Sequence, residues 1–463
     1  MATSIKSDVI DDFKAKLRGC LLQPNDAGYH EARQIWNATI DRRPAMIARC
    51  AGTADVRTSV AFARDHDLLL AVRGGGHNIA GNALCDDGLV IDLSGMRSVR
   101  VDREARRAYV EGGATLHDFD HEAQSFGMAT PLGINSTTGV GGLTLGGGFG
   151  WLSRKYGLTV DNLISADIVT ADGQLLRTDA NQYPDLFWAI RGGGGNFGIV
   201  TMFEFALHAV GPDVTAGLIV FPFDQAKQVL TRYRDLVPDL RDDVSIWCVL
   251  RQAPPLPFLP ADVHGKEVVV MAFFSPLAPE SVKPELDTLR GFGKTCGEHA
   301  GAMPYVAWQQ AFDPLLTPGA RNYWKSHNFT ELQDEAIDTI IRYVSELPSP
   351  QCEIFLGLLG AQVNRAALDA TAYPHREAMY AMNVHTRWSD PAEDEKCIGW
   401  ARAFFSDTAP YAAGSVYINF LTQDEGGRIA EAYGANYGRL KEIKAKYDPR
   451  NLFRQNQNIK PSA

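Results

Sequence analysis

Three stretches early in the chain are so rich in glycine that they restrict what the backbone around them can be. The first is Arg73-Gly74-Gly75-Gly76-His77-Asn78. The second runs from Gly139 to Gly150, where seven of twelve residues are glycine, and the third from Gly192 to Gly198, with five of seven. Consecutive glycines leave backbone N–H groups unscreened by a Cβ, so such loops can nest an anion or lie flat against a ring. Each glycine also costs about 0.5–1 kcal/mol of folding entropy. A plain tight turn accounts for one cluster more readily than for three, so the clusters point to a ligand.

The usual nucleotide motifs do not fit. Gly193-Gly194-Gly195-Asn196-Phe197-Gly198 has the G-x-G-x-x-G form, but a strand-like run, Ile199 to Phe205, follows where a helix should open, and Glu204 comes too early for the ribose acid. Gly293-Lys294-Thr295 looks like the end of a P-loop, yet Thr288 stands where its first glycine belongs. Neither a G-x-S-x-G elbow nor an HExxH helix occurs.

Composition narrows the class further. Lys and Arg number 45 against 55 Asp and Glu, a net charge of −10, which argues against a nucleic-acid partner. No apolar run reaches the roughly 18 residues of a membrane span. Asp8, Asp11 and Asp12 interrupt the N-terminal apolar residues, so no secretory signal is expected and the predicted location is cytoplasmic. The seven cysteines, at least 30 residues apart, form no C-x-x-C pair and no metal spacing. Reduced thiols, mostly buried, and no metal site are expected.

Along the chain, 463 residues suggest more than one domain. An amphipathic N-terminal helix carries Val9, Ile10, Phe13 and Leu17. Short strands are predicted at 68–72, 89–93, 99–101, 107–110, 163–169 and 174–176, with helices at 53–65 and 115–126 and a hairpin turn at Ala171-Asp172-Gly173. This pattern reads as α+β with frequent turns rather than a βαβ repeat. From Pro212 to about Ser406 prolines multiply, and a helix at 333–347 alternates with strand-like runs at 267–274 and 353–359. A closing helix is predicted over 429–447, stopped by Asp448-Pro449.

Five stretches in register carry a family resemblance. They are Ala71 to Asn78 with Gly88 to Leu93; the 139–151 glycines; Arg154 to Leu158 with Asp161-Asn162; Asp185 to Ala189 with Arg191 to Val200; and Asn436 to Leu440, Tyr447-Asp448-Pro449, Phe453 and Asn456 to Ile459. Together they resemble the FAD-linked oxidases of the berberine-bridge-enzyme type, within the vanillyl-alcohol-oxidase/p-cresol-methylhydroxylase superfamily. The resemblance implies an α+β chain: a two-lobed PCMH-type FAD-binding domain, residues 1–208 with its core at about 43–208, and a second α/β substrate domain at 209–408 built on an antiparallel sheet. Residues 409–463 return to the FAD domain.

The resemblance implies FAD bonded covalently through its 8α carbon to His77. It places further FAD contacts on Arg73, Gly74, Gly75, Gly76, Asn78, Gly81 and Asn82. The second segment contributes Thr137, Gly139, Gly142, Leu143, Gly146, Gly147, Phe149 and Gly150. Gly195, Gly198, Ile199 and Val200 come from the third, and Asn436, Asn456 and Asn458 from the C-terminal stretch. For Arg73, steadying the phosphates or the loop competes with a surface ion pair. Many members carry a second, cysteinyl link; here Asn135 occupies that position, so a single link is expected.

The implied activity is an oxidase: hydride passes from a small alcohol, sugar or amine to the flavin, and dioxygen is reduced to hydrogen peroxide. A dehydrogenase with another acceptor, or a silent flavin-binding protein, is the alternative. The family's Tyr-x-Asn-Tyr strand is matched by Tyr417-Ile418-Asn419-Phe420, whose last residue cannot act as a base. Candidate catalytic groups are Tyr417, His385 and Tyr323, with His327 nearby in sequence to the last. Each has a packing role as its alternative. Lys325 or Arg321 would be the cation that lowers a tyrosine pKa. Glu353, Asp390, Glu393, Asp394 and Glu395 read as solvated surface acids.

Overall fold

The computed structural model describes residues 5–462. Its first lobe is a four-stranded sheet in the order Cys20–Leu22, Met46–Arg49, Leu89–Asp92, Leu70–Arg73. The last three strands are parallel, and the helix Thr53–Asp65 carries the chain between two of them. One βαβ crossover is therefore present, a single unit and not a repeat, in keeping with the α+β reading. The short strands and the glycines that end them hide the unit from a periodicity reading.

The second lobe is antiparallel throughout, ordered Val99–Asp102, Arg107–Glu111, Ile199–Ala206, Leu163–Val169, Leu175–Asp179. The turn at Ala171-Asp172-Gly173 joins the last pair, with Gly173 at φ +82°. Thr115 and Asp118 form a reciprocal capping box at the helix Leu116–Gln124, an arrangement worth about 1 kcal/mol.

A seven-stranded antiparallel sheet forms the rest of the scaffold. Its order is Gly297–Pro304, Asp213–Pro222, Glu267–Ser275, Ser245–Gln252, Glu353–Leu358, Tyr380–Trp388, Arg321–Phe329. Strand side chains alternate between faces, and here both faces are covered. Ile246, Cys248 and Leu250, with Val269, Met271 and Phe273, are fully buried in the main apolar core. The helices Ala226–Leu236 and Asp334–Val344 supply Val229, Leu230, Ile337 and Ile340 to that same core. The alternate residues, Trp247, Val249 and Arg251 with Val268, Val270 and Ala272, face a cavity. That alternation makes one face of the sheet the cavity floor.

The closing segment departs from the predicted single helix. It breaks into Ile429–Tyr433 and Tyr437–Tyr447, because Gly434 adopts φ +48° between them. Tyr417–Phe420 likewise forms no strand; Ile418–Phe420 is a single 3₁₀ turn. No helix among the described residues is long and apolar enough to cross a membrane.

Candidate active site

All three glycine clusters contribute to the wall of one continuous cavity, in which water centres fit through about 370 Å³. The glycines do two different jobs. Gly75 and Gly139 press backbone to backbone: a Cβ on Gly75 would lie 2.4 Å from the Gly139 nitrogen. Gly142 and Gly195 also line the cavity, yet a Cβ on either would meet no protein atom within 4 Å. These two open positions form the cradle that a flat ligand would occupy.

From the first cluster, Gly74, Gly75, Gly76, His77, Asn78 and Asn82 lie on the cavity wall. Gly139, Gly142, Leu143 and Phe149 join them from the second, Gly195, Gly198, Ile199 and Val200 from the third, and Asn456 from the C-terminal segment. Others sit behind the wall. Gly81 is at φ +75°, where a Cβ would strike Ile40. Cβ atoms on Gly146, Gly147 and Gly150 would strike Asn419, Tyr373 and the Leu132 carbonyl. Arg73 donates to the Ala32 carbonyl and has no carboxylate partner among the described residues, so it ties down the loop. Asn436 donates to the carbonyls of Leu368, Thr371 and Ala372, and Asn458 is half-buried off the wall, its Oδ1 buried and without a partner among the described residues.

His77 is the best-defined group. Its ring stacks on Trp36 at 5.2 Å and 21°, while the Trp36 backbone N–H donates to the Gly76 carbonyl at 3.1 Å. Hydrogen bonds also set its tautomer. The backbone N–H of Thr137 donates to Asn135 Oδ1 at 3.0 Å, which marks that atom as an acceptor. The Thr137 hydroxyl must then donate to the same oxygen, 2.7 Å away. Its Oγ1 is left to accept from His77 Nε2–H at 2.9 Å. The lone pair therefore sits on Nδ1. Burial pushes the imidazole down to about 4, partly opposed by a hydrogen bond to the Thr137 backbone, so the ring is neutral at pH 7. A neutral imidazole with a free Nδ1 is a nucleophile.

Tyr417 and His385 also line the cavity. The Tyr417 hydroxyl accepts from Gly148 N–H at 3.1 Å and from Asn419 Nδ2 at 2.9 Å. Burial outweighs both and raises its pKa to about 12. Tyr417 thus keeps its proton and can donate it in a hydrogen bond. His385 Nδ1 lies 3.1 Å from Glu353 Oε1 and Nε2 lies 3.4 Å from Asn322 Oδ1, so protein acceptors engage both nitrogens. Tyr323 lies off the cavity wall: its hydroxyl donates to Asp424 at 2.7 Å. His327 is bound to the Phe405 carbonyl at 3.0 Å, also off the wall. Lys325 pairs with Asp424 and Glu425, and Arg321 with Asp394; neither contacts Tyr417.

Sequence reasoning misplaced Glu353. The acid is buried on the cavity floor, 2.5 Å from Arg251. Burial alone would raise its pKa, but Arg251, His385 and Arg387 outweigh it and hold the carboxylate at about 2. Asn383, Trp36 and Trp324 were missed as well. Asn383 is fully buried, lines the cavity, and has neither amide atom hydrogen-bonded to protein. Its only sequence signal is a polar residue at the same parity as His385 on one strand. Among the described residues, no cluster of three or more His, Cys, Asp or Glu is placed to hold a metal.

Comparison with known proteins decides the family. A family model for an FAD binding domain matches residues 44–179, and one described as berberine and berberine like matches 416–460. An FAD-linked oxidoreductase of Dictyostelium discoideum is 31% identical over 98% of this chain and 97% of its own. The chain belongs to the berberine-bridge-enzyme-like FAD-linked oxidoreductases. Within this family, (R)-6-hydroxynicotine oxidase of Paenarthrobacter nicotinovorans is 31% identical over 96% of this chain and 97% of its own. The crystal structure of 6-hydroxy-D-nicotine oxidase from Arthrobacter nicotinovorans superimposes with a TM-score of 0.86 at 29% identity, covering 96% of this chain and 98% of that one. This oxidoreductase thus has an FAD-binding domain, and its cavity fits the cofactor. The cradle is open at Gly142 and Gly195, and Asn456 Oδ1 and Gln457 Nε2 on the wall are buried without protein partners.

Proposed function

We propose that the protein is an oxidase that takes hydride from a small organic substrate at an FAD bonded to His77, with dioxygen as the final acceptor and hydrogen peroxide as product. The observation that carries this reading is the fixed Nδ1 lone pair of a neutral His77 in the same cavity as the glycine cradle. His77 would hold FAD through a covalent bond from Nδ1, the displaced proton passing to solvent and dioxygen, the acceptor proposed here, serving as the two-electron oxidant. The cavity wall contains no cysteine, so the link is single.

When bound, FAD accepts the hydride from the substrate carbon and passes the electrons on. The remaining work falls to the chain. Gly142 and Gly195 would let backbone approach the cofactor, and Asn456 and Gln457 would offer it polar atoms. Tyr417 holds its proton and donates toward the cavity. Trp247, Trp324, Phe355 and Phe420 wall the substrate side and exclude water. Neither Tyr417 nor His385 is poised as a base, so the substrate's own acidity sets when its proton leaves.

In this reading residues up to 208 and from 409 onward hold FAD, and 209–408 hold the substrate. The seven cysteines are all unpaired, which suits a reducing, cytoplasmic setting. Acid precipitation tests the link. Yellow colour retained in the pellet, and absent from it in His77→Ala, supports single-histidine attachment; colour in the wild-type supernatant overturns it. Peroxide release during aerobic turnover, with flavin bleached but not recycled under anaerobic conditions, tests the acceptor.

A further inference from the structure

The cavity floor is longer than one flat three-ring system and a small alcohol can cover. Direct cross-strand pairing places five floor residues in a single row: Asn383 opposite Phe355, Phe355 opposite Val249, Val249 opposite Val270, and Val270 opposite Val220. All five line the cavity. Four strand spacings separate the ends of this row, roughly 19 Å. The polar end is the one near His77, because Trp36 beneath His77 also meets Trp324 at 5.7 Å and His385 at 6.3 Å.

Chemistry changes along the row. At one end Asn383 presents an amide donor and acceptor, buried and unpartnered. At the other, Val220, Val268 and Val270 pack with Leu259 and the partly buried Leu256, from the loop after the Ser245–Gln252 strand, and close an aliphatic chamber. The two charged side chains on the wall between them, Arg251 and Glu353, pair with each other. A sugar buried here would lose water from hydroxyls for which the chamber offers no partner.

We infer that this site selects an uncharged amphipathic substrate, with a planar hydrogen-bonding head at Asn383 and an aliphatic tail along Phe355, Val249, Val270 and Val220. The inference rests on the proposed function for its assumption that the cavity takes a substrate beside the flavin.

The test uses the purified flavin-loaded protein and 4-n-alkylphenols from ethyl to octyl, with quenching of the cavity tryptophans as the binding signal. The Kd should fall about fourfold per buried methylene until the chamber is full, then level off. Val270→Phe should end that fall at a shorter tail. Asn383→Leu should weaken every member of the series by a common factor of about five. A Kd independent of tail length, or a Val270→Phe series identical to wild type, overturns the inference. Anaerobic mixing with 4-n-alkylbenzyl alcohols separates it from the reading beneath. Bleaching at a tail-independent rate and affinity sinks the chamber and leaves the oxidase. Tail-dependent binding of phenols, with no bleaching by any alcohol or amine, supports the chamber and sinks the oxidase.

Discussion

Replacing Thr137 by valine should slow the attachment of FAD without emptying the site. Valine matches threonine in shape but cannot accept the Nε2–H of His77, now bonded at 2.9 Å. Nothing then favours the tautomer whose lone pair lies on Nδ1. A hydrogen bond of this kind is worth about 0.5–1.5 kcal/mol net, so covalent incorporation should slow about 2- to 12-fold. The assay adds FAD to apoprotein, stops samples in acid at intervals, and reads flavin in pellet and supernatant. Thr137→Ser keeps the hydroxyl and should restore the rate. Asn135→Asp keeps an acceptor for that hydroxyl and should also attach FAD at close to the wild-type rate. Because His77 titrates at about 4, the rate should be flat from pH 6 to 8. An unchanged rate in Thr137→Val, or a Thr137→Ser as slow as the valine variant, would refute the relay from Asn135 through Thr137.

Three further outcomes are expected. Gly75→Ala forces a Cβ to 2.4 Å from the Gly139 backbone and should lower the Tm of the apoprotein, whereas Gly195→Ala, open on that side, should leave apoprotein Tm unchanged and reduce retained FAD; equal thermal losses would count against the two-job division of the glycines. Glu353→Gln leaves Arg251, only 11% exposed, without its partner, and should cost about 3 kcal/mol in urea unfolding; a loss under about 1 kcal/mol would mean that the pair behaves as a surface bridge. His208, His327 and His375 are each lowered to about 4, burial being the main cause, so the unfolded chain binds more protons as pH falls from about 6.5 toward 4. Asp120, raised to about 7 by burial, and Asp167, also raised by burial, oppose them, but the three histidines outnumber these two acids, and the urea midpoint should therefore be lower at pH 5 than at pH 7.5.

Much of the scaffold could be read from residue order because its signals are local. The helix Thr53–Asp65 appears with the predicted limits, and the Leu163–Val169 strand likewise. A helix or strand declares itself through neighbours three or four, or two, positions away. The glycine clusters were equally legible, since a run of residues without Cβ is visible before any fold is known. Which glycine faces the cavity was not legible. Gly142 and Gly146 look alike in sequence, but one opens on empty space and the other on the Asn419 side chain.

The sequence by itself determined that the glycine clusters would gather at a ligand-sized cavity, with His77 in one of its loops, and that the family would be a flavin-dependent one. Only the tertiary structure decided how the groups are charged and aimed. Glu353 reads as a surface acid until the strand pairing sets Arg251 directly opposite. Tyr323 reads as a catalytic tyrosine until Asp424, 101 residues away, claims its hydroxyl. The His77 tautomer depends on Thr137, 60 residues distant. Protonation, tautomer and burial are set by whatever lies within a few ångströms, and those neighbours come from parts of the chain that no local pattern connects.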